Sequence, residues 1–474
     1  MRFMNNAPEG IHGSFLLTAL ETLTGEDATK SAVDIHNVAK FVAKLEADPA
    51  ARPQSSVEHG VKLIFNWSHA LTEGNSAKID ARAKEIEAVA PTNPLPLRGM
   101  VQFYADSKFA DILNIGIANN YRAYNGDMSF GVIQGTLPDD AKVAIIGDWG
   151  LGQDDCLNLL DQMLRANQDV SAILHLGDIY WTGTPGEVYR KYTTPIRAAL
   201  DKYRLQIPVF SIPGDHEYMS PRHHPNVGFG EAFYGMLDGA TLPGFLHPNT
   251  NYDLSAITGT GQWKQEASYF CLRTKSGKWQ ILGSDSGVTT SKTVPHAQCG
   301  LVTEEVAWHK DKLDHFSGKT VFLTHRQFVS GYDPLSGSYF NEDLVNDLAP
   351  LLPKINLFLW GHEHRFVPFN DGLTLPSGQT VTTKLRLLGS GSRDQDPGLA
   401  SSAGMALILP KSKNNYVWTD TVNGLCSLAY AILDLGKETI SYFQIPAWPQ
   451  GDTNPVTTYQ SPRTTPEFLL FDQL

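Results

Sequence analysis

The sequence predicts an α/β fold for everything after about residue 142, on three observations. From Lys142 onward short apolar runs recur, each closing on glycine, proline or a polar cluster: VAIIGDWG, AILHLGDIY, PVFSIPGDHE, WQILGSDSG, TVFLTHRQ, LFLWGHEH and LRLLGSGS. Apolar runs of this length, bounded by turn signals, read as buried strands. Between the first of them lie helix-length segments, 154–165 and 187–200, which is the β-α-β rhythm of an α/β sandwich. Near the end, 429–435, a Gly436-Lys437 turn and 439–444 read as a hairpin.

The first 125 residues have a different period. Val33, Val38, Phe41, Val42 and Leu45 recur at helical spacing, a second such stretch covers 57–71, and Pro53, Pro91, Pro94 and Pro96 mark segment ends. A helical N-terminal domain or cap is expected there. No internal repeat is found. The segment after Pro446 is rich in Pro, Thr and Gln and is expected to run as coil.

A chain of 474 residues is too long for one ordinary domain, so two are expected. The net charge of −12, with no clustered Lys and Arg, argues against general nucleic-acid binding. No stretch of about 18 apolar residues is present to cross a bilayer. The apolar run from Phe15 to Leu20 is short and lies between Glu9 and Glu21, so the N-terminus reads as mature sequence. Four cysteines, Cys156, Cys271, Cys299 and Cys426, are spread without a CxxC pair, as expected of reduced thiols in a cytoplasmic protein.

Chemistry is concentrated where strands end. Five runs close on a carboxylate or imidazole: Asp148, Asp178, the pair Asp215-His216, His325, and the pair His362 and His364. Singly, each has an ordinary reading as a turn or hydrogen-bonded loop residue. Together they follow a rule of open α/β sheets, in which ligands gather outside the carboxyl ends of the strands. Oxygen and nitrogen donors of this kind suit Mn, Fe, Zn or a similar divalent ion better than a thiolate-loving one.

The order GD, GD, GDHE, TH, GHEH over residues 142 to 444 resembles the calcineurin-like metallophosphoesterase superfamily, whose pattern runs GD, GD, GNH[DE], H, GHxH. The resemblance implies a four-layer α/β/β/α sandwich with a dinuclear centre, holding two divalent or mixed-valence ions. It implies that Asp178 bridges both ions, that Asp148 and His364 serve one, and that Asp215, His325 and His362 serve the other. It also implies that His216 is the general acid toward the leaving oxygen, with Glu217 in a supporting role. The expected activity is hydrolysis of a phosphomonoester or phosphodiester by in-line attack of a metal-bridging hydroxide; the alternative is a non-catalytic or weakly active scaffold on the same fold. The expected layout is a helical unit over 1–125, a linker over 126–141, the phosphoesterase domain over 142–446 and a coil tail over 447–474.

Two motifs depart from the common pattern. Asp148-Trp149-Gly150 lacks the D-x-H histidine, and this GDWG form resembles purple acid phosphatases, which use a tyrosine three residues after the bridging aspartate. Here that position is Trp181 and the tyrosine is Tyr180, which is either a metal ligand or a packing residue; one residue along a strand reverses the face. Asp215 stands where the family usually has asparagine. Arg326 and His224 are the expected substrate-phosphate contacts, with Arg222, His223 and Arg393 in the same class and solvated surface as the alternative for each. Asp285 reads as a turn residue, and His309 and His315 as surface or packing residues of a helix.

Overall fold

The computed structural model describes residues 121–149, 154–179, 194–218, 265–290, 300–332, 338–391, 400–413, 415–422, 425–445 and 465–474, together with Tyr192 and isolated positions between 44 and 85. The chain divides into two compact units, one of Met1–Ile115, Pro221–Val227 and Trp448–Pro462, the other of Gly116–Ser220, Gly228–Ala447 and Arg463–Leu474. The first lies almost wholly outside the described residues, and with it the helical domain expected over 1–125; Lys44, Leu45, His59, Lys62 and Leu63 are among its described positions and are helical.

The second unit is a mixed α/β sandwich. One sheet runs in the order β15-β14-β13-β2-β3-β4 and the other β1-β5-β6-β7-β8-β10-β9. The strands are β1 (Val132–Leu137), β2 (Lys142–Ile146), β3 (Val170–His175), β4 (Val209–Ser211), β5 (Phe270–Thr274), β6 (Trp279–Gly283), β7 (Lys319–Thr324), β8 (Leu357–Trp360), β9 (Phe366–Pro368) and β10 (Lys384–Leu388). A two-stranded ribbon, β11 (Thr421–Val422) with β12 (Leu425–Cys426), precedes the hairpin of β13 (Leu428–Asp434) and β14 (Thr439–Ile445), and β15 (Glu467–Gln473) closes the chain. The seven apolar runs are all strands, and the hairpin stands where its turn signal put it.

Period two explains how the layers stack. Val143 and Ile145 of β2, with Ala172 and Leu174 of β3, point into a core shared with Ile281, Val321 and Leu323 of the opposite sheet. Their neighbours Ala144, Ile146 and Ile173 point the other way. There they meet Leu159, Leu160, Met163 and Leu164 of α1 (Asp154–Ala166), and Ile196 and Leu200 of α2 (Thr194–Tyr203). Trp308 and Leu313 of α3 (Thr303–Asp314), and Leu344 and Leu348 of α4 (Glu342–Leu348), join the core at the other sheet. The result is the expected α/β/β/α layering. Burial on both faces is what makes β8, LFLW, apolar throughout.

Two expected boundaries need correction. The stretch expected as a linker contains β1, which pairs in parallel with β5 at the sheet edge. The tail expected as coil ends in β15, which pairs antiparallel with β14. Asp472 on that strand binds Arg386 of β10 with two bonds of 2.7 Å, from Nε and Nη2. Arg386 also donates to the carbonyls of Phe369 and Leu385. Arg386 and Asp472 belong to different sheets, so this buried, fully bonded pair ties the last strand across the sandwich.

Candidate metal centre

β2, β3 and β4 run parallel, as do β6, β7, β8 and β10, so their carboxyl ends collect at one edge of the sandwich. Asp148, Asp178, Asp215, His325, His362 and His364 all follow their strands there within four residues. The chain must turn sharply to aim them. Asp148 (φ 54°), Asp178 (φ 51°) and His362 (φ 73°) take the left-handed conformation, which costs a residue other than glycine on the order of 1 kcal/mol or more. Three such residues in one cluster mark a place where side-chain direction outweighs backbone comfort.

Glycines make room for this. A Cβ on Gly361 would stand 2.2 Å from Asp148 Oδ2, and one on Gly214 would stand 2.1 Å from Asp178 Oδ1. From the GSGS loop after β10, a Cβ on Gly389 would stand 2.9 Å from Asp148 Oδ2, and one on Gly391 would meet the backbone carbonyls of Gly147 and Asp148. The glycine pattern of that loop is the sequence signal for a close approach.

The side chains form two overlapping groups. Asp178, Asp215, His325 and His362 offer ligand atoms all within 4.8 Å of one another, and so do Asp148, Asp178 and His364, with Asp178 common to both. His325 Nε2 is 3.2 Å from Asp178 Oδ2 and 3.2 Å from Asp215 Oδ1. His362 Nδ1 is 3.2 Å from Asp215 Oδ1, and His364 Nε2 is 3.5 Å from Asp148 Oδ1. His325 Nδ1 lies 2.9 Å from the Leu176 carbonyl, which fixes its proton there and turns Nε2 into the cluster.

Buried groups of opposite charge set one another's protonation in the cluster. Burial pushes the Asp148 carboxyl up to about 8, against the pull of His325 and His364. Burial also acts upward on Asp178, but the charges of His325 and His216 outweigh it and bring it down to about 2. Burial opposes a charged His325, yet Asp178, Asp215 and Asp148 around it hold its proton well above the usual range. A proton on Nε2 occupies the place a metal would take, so binding of a metal would release it. Asp148 Oδ2 is buried with no hydrogen-bond partner, and this orphaned acceptor within an oxygen and nitrogen donor set fits a divalent ion.

Supporting groups hold the loops in place. Glu217, fully buried, accepts from the backbone N–H of Asp178 at 2.9 Å, of Ile179 at 2.8 Å and of Gly214, and so joins the loop of Asp178 to that of Asp215. His216 donates its backbone N–H to Asp178 Oδ1, and its Nε2 lies 3.8 Å from Asp178 Oδ2. Arg326 is not surface: it is 6% exposed, with Nη2 3.4 Å from Asp215 Oδ2 and Nη1 2.6 Å from His362 Nε2. Burial and the charge of Arg326 bring His362 down to about 4. Ser286, in the GSDSG run, was not singled out; its hydroxyl accepts from Arg326 N and Thr324 Oγ1, both at 2.9 Å.

Tyr180, Trp181, Arg222, His223, His224 and Arg393 lie outside the described residues. Asp285 is a turn residue as read, its Oδ1 accepting from Val288 N–H at 3.0 Å. His309 is buried, 3.1 Å from Glu305, and His315 is on the surface.

Residues 141–366 match the family of calcineurin-like phosphoesterases. No curated protein sequence matches the chain. Among solved structures it is similar to the purple acid phosphatase PPD1 from yellow lupin (Lupinus luteus) seeds, at 14% identity and a TM-score of 0.39 over 70% of this chain and 55% of that one. It is also similar to GAP50, the anchor in the inner membrane complex of Plasmodium, at 15% identity, a TM-score of 0.39, and 66% and 86% coverage. A dimetal phosphatase from Danio rerio follows at 14%, 0.38, and 64% and 96%. The chain thus spans little more than half the length of the lupin protein. Among the described residues no helix is long and apolar enough to cross a membrane. The match to the calcineurin-like phosphoesterases is carried on the strand ends of residues 141–366 that bear GD, GD, GDHE, TH and GHEH.

Proposed function

We propose that the protein is a metal-dependent hydrolase of a phosphomonoester or phosphodiester, working at a dinuclear centre held by Asp148, Asp178, Asp215, His325, His362 and His364. The observation that carries this reading is the pair of ligand groups sharing Asp178. Two divalent ions, when bound, supply an activated water and the positive charge that stabilises entering and leaving oxygens of an in-line displacement. Asp178 belongs to both groups and would serve as the bridge. His325, its Nδ1 committed to Leu176, presents Nε2.

His216 supplies the proton. Its backbone N–H holds Asp178 Oδ1 while its ring stays beside the shared carboxylate, 7% exposed, where a leaving oxygen would arrive. Glu217 keeps the two aspartate loops at fixed separation through three backbone donors. Arg326 would orient phosphoryl oxygens, since a guanidinium matches phosphate geometry. Tyr180 as a further ligand and His224 as a phosphate contact remain part of this proposal. The metal pair is Mn, Fe or Zn, and the substrate is a small or macromolecular phosphate ester.

The test is hydrolysis of paired aryl and alkyl phosphate mono- and diesters by protein loaded in turn with Mn, Zn and Fe, beside Asp178→Asn. Turnover that depends on metal and vanishes in the variant supports the reading. Equal turnover with and without chelator would refute it.

A further inference from the structure

His325 and His362 sit edge to face, ring centroids 5.3 Å apart, and each brings a nitrogen within 3.2 Å of Asp215 Oδ1. They are nevertheless prepared in opposite senses. His325 spends its Nδ1–H on a backbone carbonyl and turns Nε2 into the cluster. His362 spends its lone pair instead: Arg326 Nη1 lies 2.6 Å from Nε2. A guanidinium has only donors to offer, so Nε2 must accept. A neutral imidazole has one such lone pair, and its proton is then on Nδ1, the atom that faces Asp215. Nδ1 makes no aligned hydrogen bond there despite its proximity. In this arrangement neither nitrogen of His362 is available to a cation. The same guanidinium stands 3.4 Å from Asp215 Oδ2, so one side chain occupies one member of the four-residue group and neutralises another.

We propose that Arg326 is a placeholder cation, filling the Asp215–His362 side of the centre when metal is absent and releasing His362 before a metal ion can bind there. The inference rests on the two-metal reading above. Displacement needs a rotation of the side chain and no movement of the loop, because the backbone of Arg326 is held by Ser286, itself held by Thr324. No proton need leave the ring. If His362 ligates through Nε2 its proton stays on Nδ1, and if through Nδ1 the proton passes to Nε2. Once released, the guanidinium is still rooted beside the pocket with its planar fork of donors unspent on His362, and an anionic phosphoryl group is the ligand that fork matches. Metal loading and phosphate binding are thereby coupled, with metal first. A histidine prepared like His325 gives no such order.

The test titrates metal-free full-length protein with Zn²⁺ by calorimetry, then with inorganic phosphate, comparing wild type with Arg326→Gln. Wild type is expected to bind two ions. The variant should bind one of them about tenfold tighter, having lost a competing cation, while its zinc-loaded form binds phosphate about tenfold more weakly. A second readout needs no variant of Arg326. In ¹⁵N-histidine spectra of metal-free wild type, with His362 assigned by its absence from His362→Gln, the His362 ring should carry its proton on Nδ1 and change its shifts as Zn²⁺ is added. Zinc binding no tighter in Arg326→Gln than in wild type, or a metal-free His362 already protonated on Nε2, overturns the placeholder role alone. A wild type that takes up no Zn²⁺ at these residues overturns the two-metal reading, and the placeholder with it.

Discussion

The two halves of the candidate centre share one aspartate and differ in almost everything else. The half of Asp178, Asp215, His325 and His362 offers four candidate ligands, a buried arginine against two of them, and a histidine fixed by a backbone carbonyl. The half of Asp148, Asp178 and His364 offers three, and Asp148 Oδ2 has no hydrogen-bond partner. The first is crowded with groups that compensate one another; the second holds a buried carboxylate oxygen without a hydrogen-bond partner. A shared carboxylate therefore does not make the halves equivalent. On the proposed reading, the crowded half would resist a cation by occupation and the sparse one would hold it with fewer ligands.

The largest effect is expected from Asp178→Asn, which removes the only described group common to both halves. Hydrolysis should be abolished and neither ion retained, because an amide carries no charge to share; two ions per chain at normal occupancy in the purified variant would show that the halves are independent. His216→Ala is next. It should leave metal content near that of wild type and lower turnover by about 10²–10⁴ for esters with poor leaving groups, and less for activated aryl esters. Losses that do not vary with leaving-group pKa would remove the proton-donor role.

Gly361→Ala separates the halves. Its Cβ would fall 2.2 Å from Asp148 Oδ2, so the three-ligand half should lose its ion while the other keeps one per chain. Loss of both ions, counted by metal analysis of a folded variant, would mean that the two sites assemble as one. The smallest effect on the centre belongs to Glu305→Gln. Glu305 accepts from Tyr121 and from the backbone of Asp285, and burial pushes its carboxyl up to about 8. An acid whose folded value is raised gives stability that is complete below its unfolded value near 4.5 and is lost as pH rises toward 8. Denaturant titrations of the variant between pH 4.5 and 8 should therefore fall less steeply than those of wild type, at unchanged zinc stoichiometry. An identical slope would place the Glu305 proton elsewhere.

The same contrast separates what was legible in the sequence from what was not. Position was legible: a carboxylate or imidazole after a buried apolar run must emerge at the strand end, and parallel strands bring those ends together however far apart they lie in the chain. Asp148 and His362 are 214 residues apart, yet the His362 N–H binds Asp148 Oδ1 at 2.8 Å. Occupation was not legible. That Arg326 faces His362 and not solvent depends on Ser286, forty positions away on another strand end, holding the Arg326 backbone. The strand β15 was hidden for a similar reason. EFLLFDQ follows a Pro- and Thr-rich stretch, and its place is set by Arg386 and by the free edge of β14, neither of which is local. β1 was lost in the same way, its partner β5 lying more than a hundred residues on.

The central claim is that two cations share Asp178. Crystals grown with Mn²⁺, with anomalous differences collected at a wavelength where manganese scatters, test it most directly. The account predicts two peaks flanking Asp178, one within the reach of Asp215, His325 and His362 and the other within that of Asp148 and His364. A single peak, or two with none touching Asp178, would contradict it.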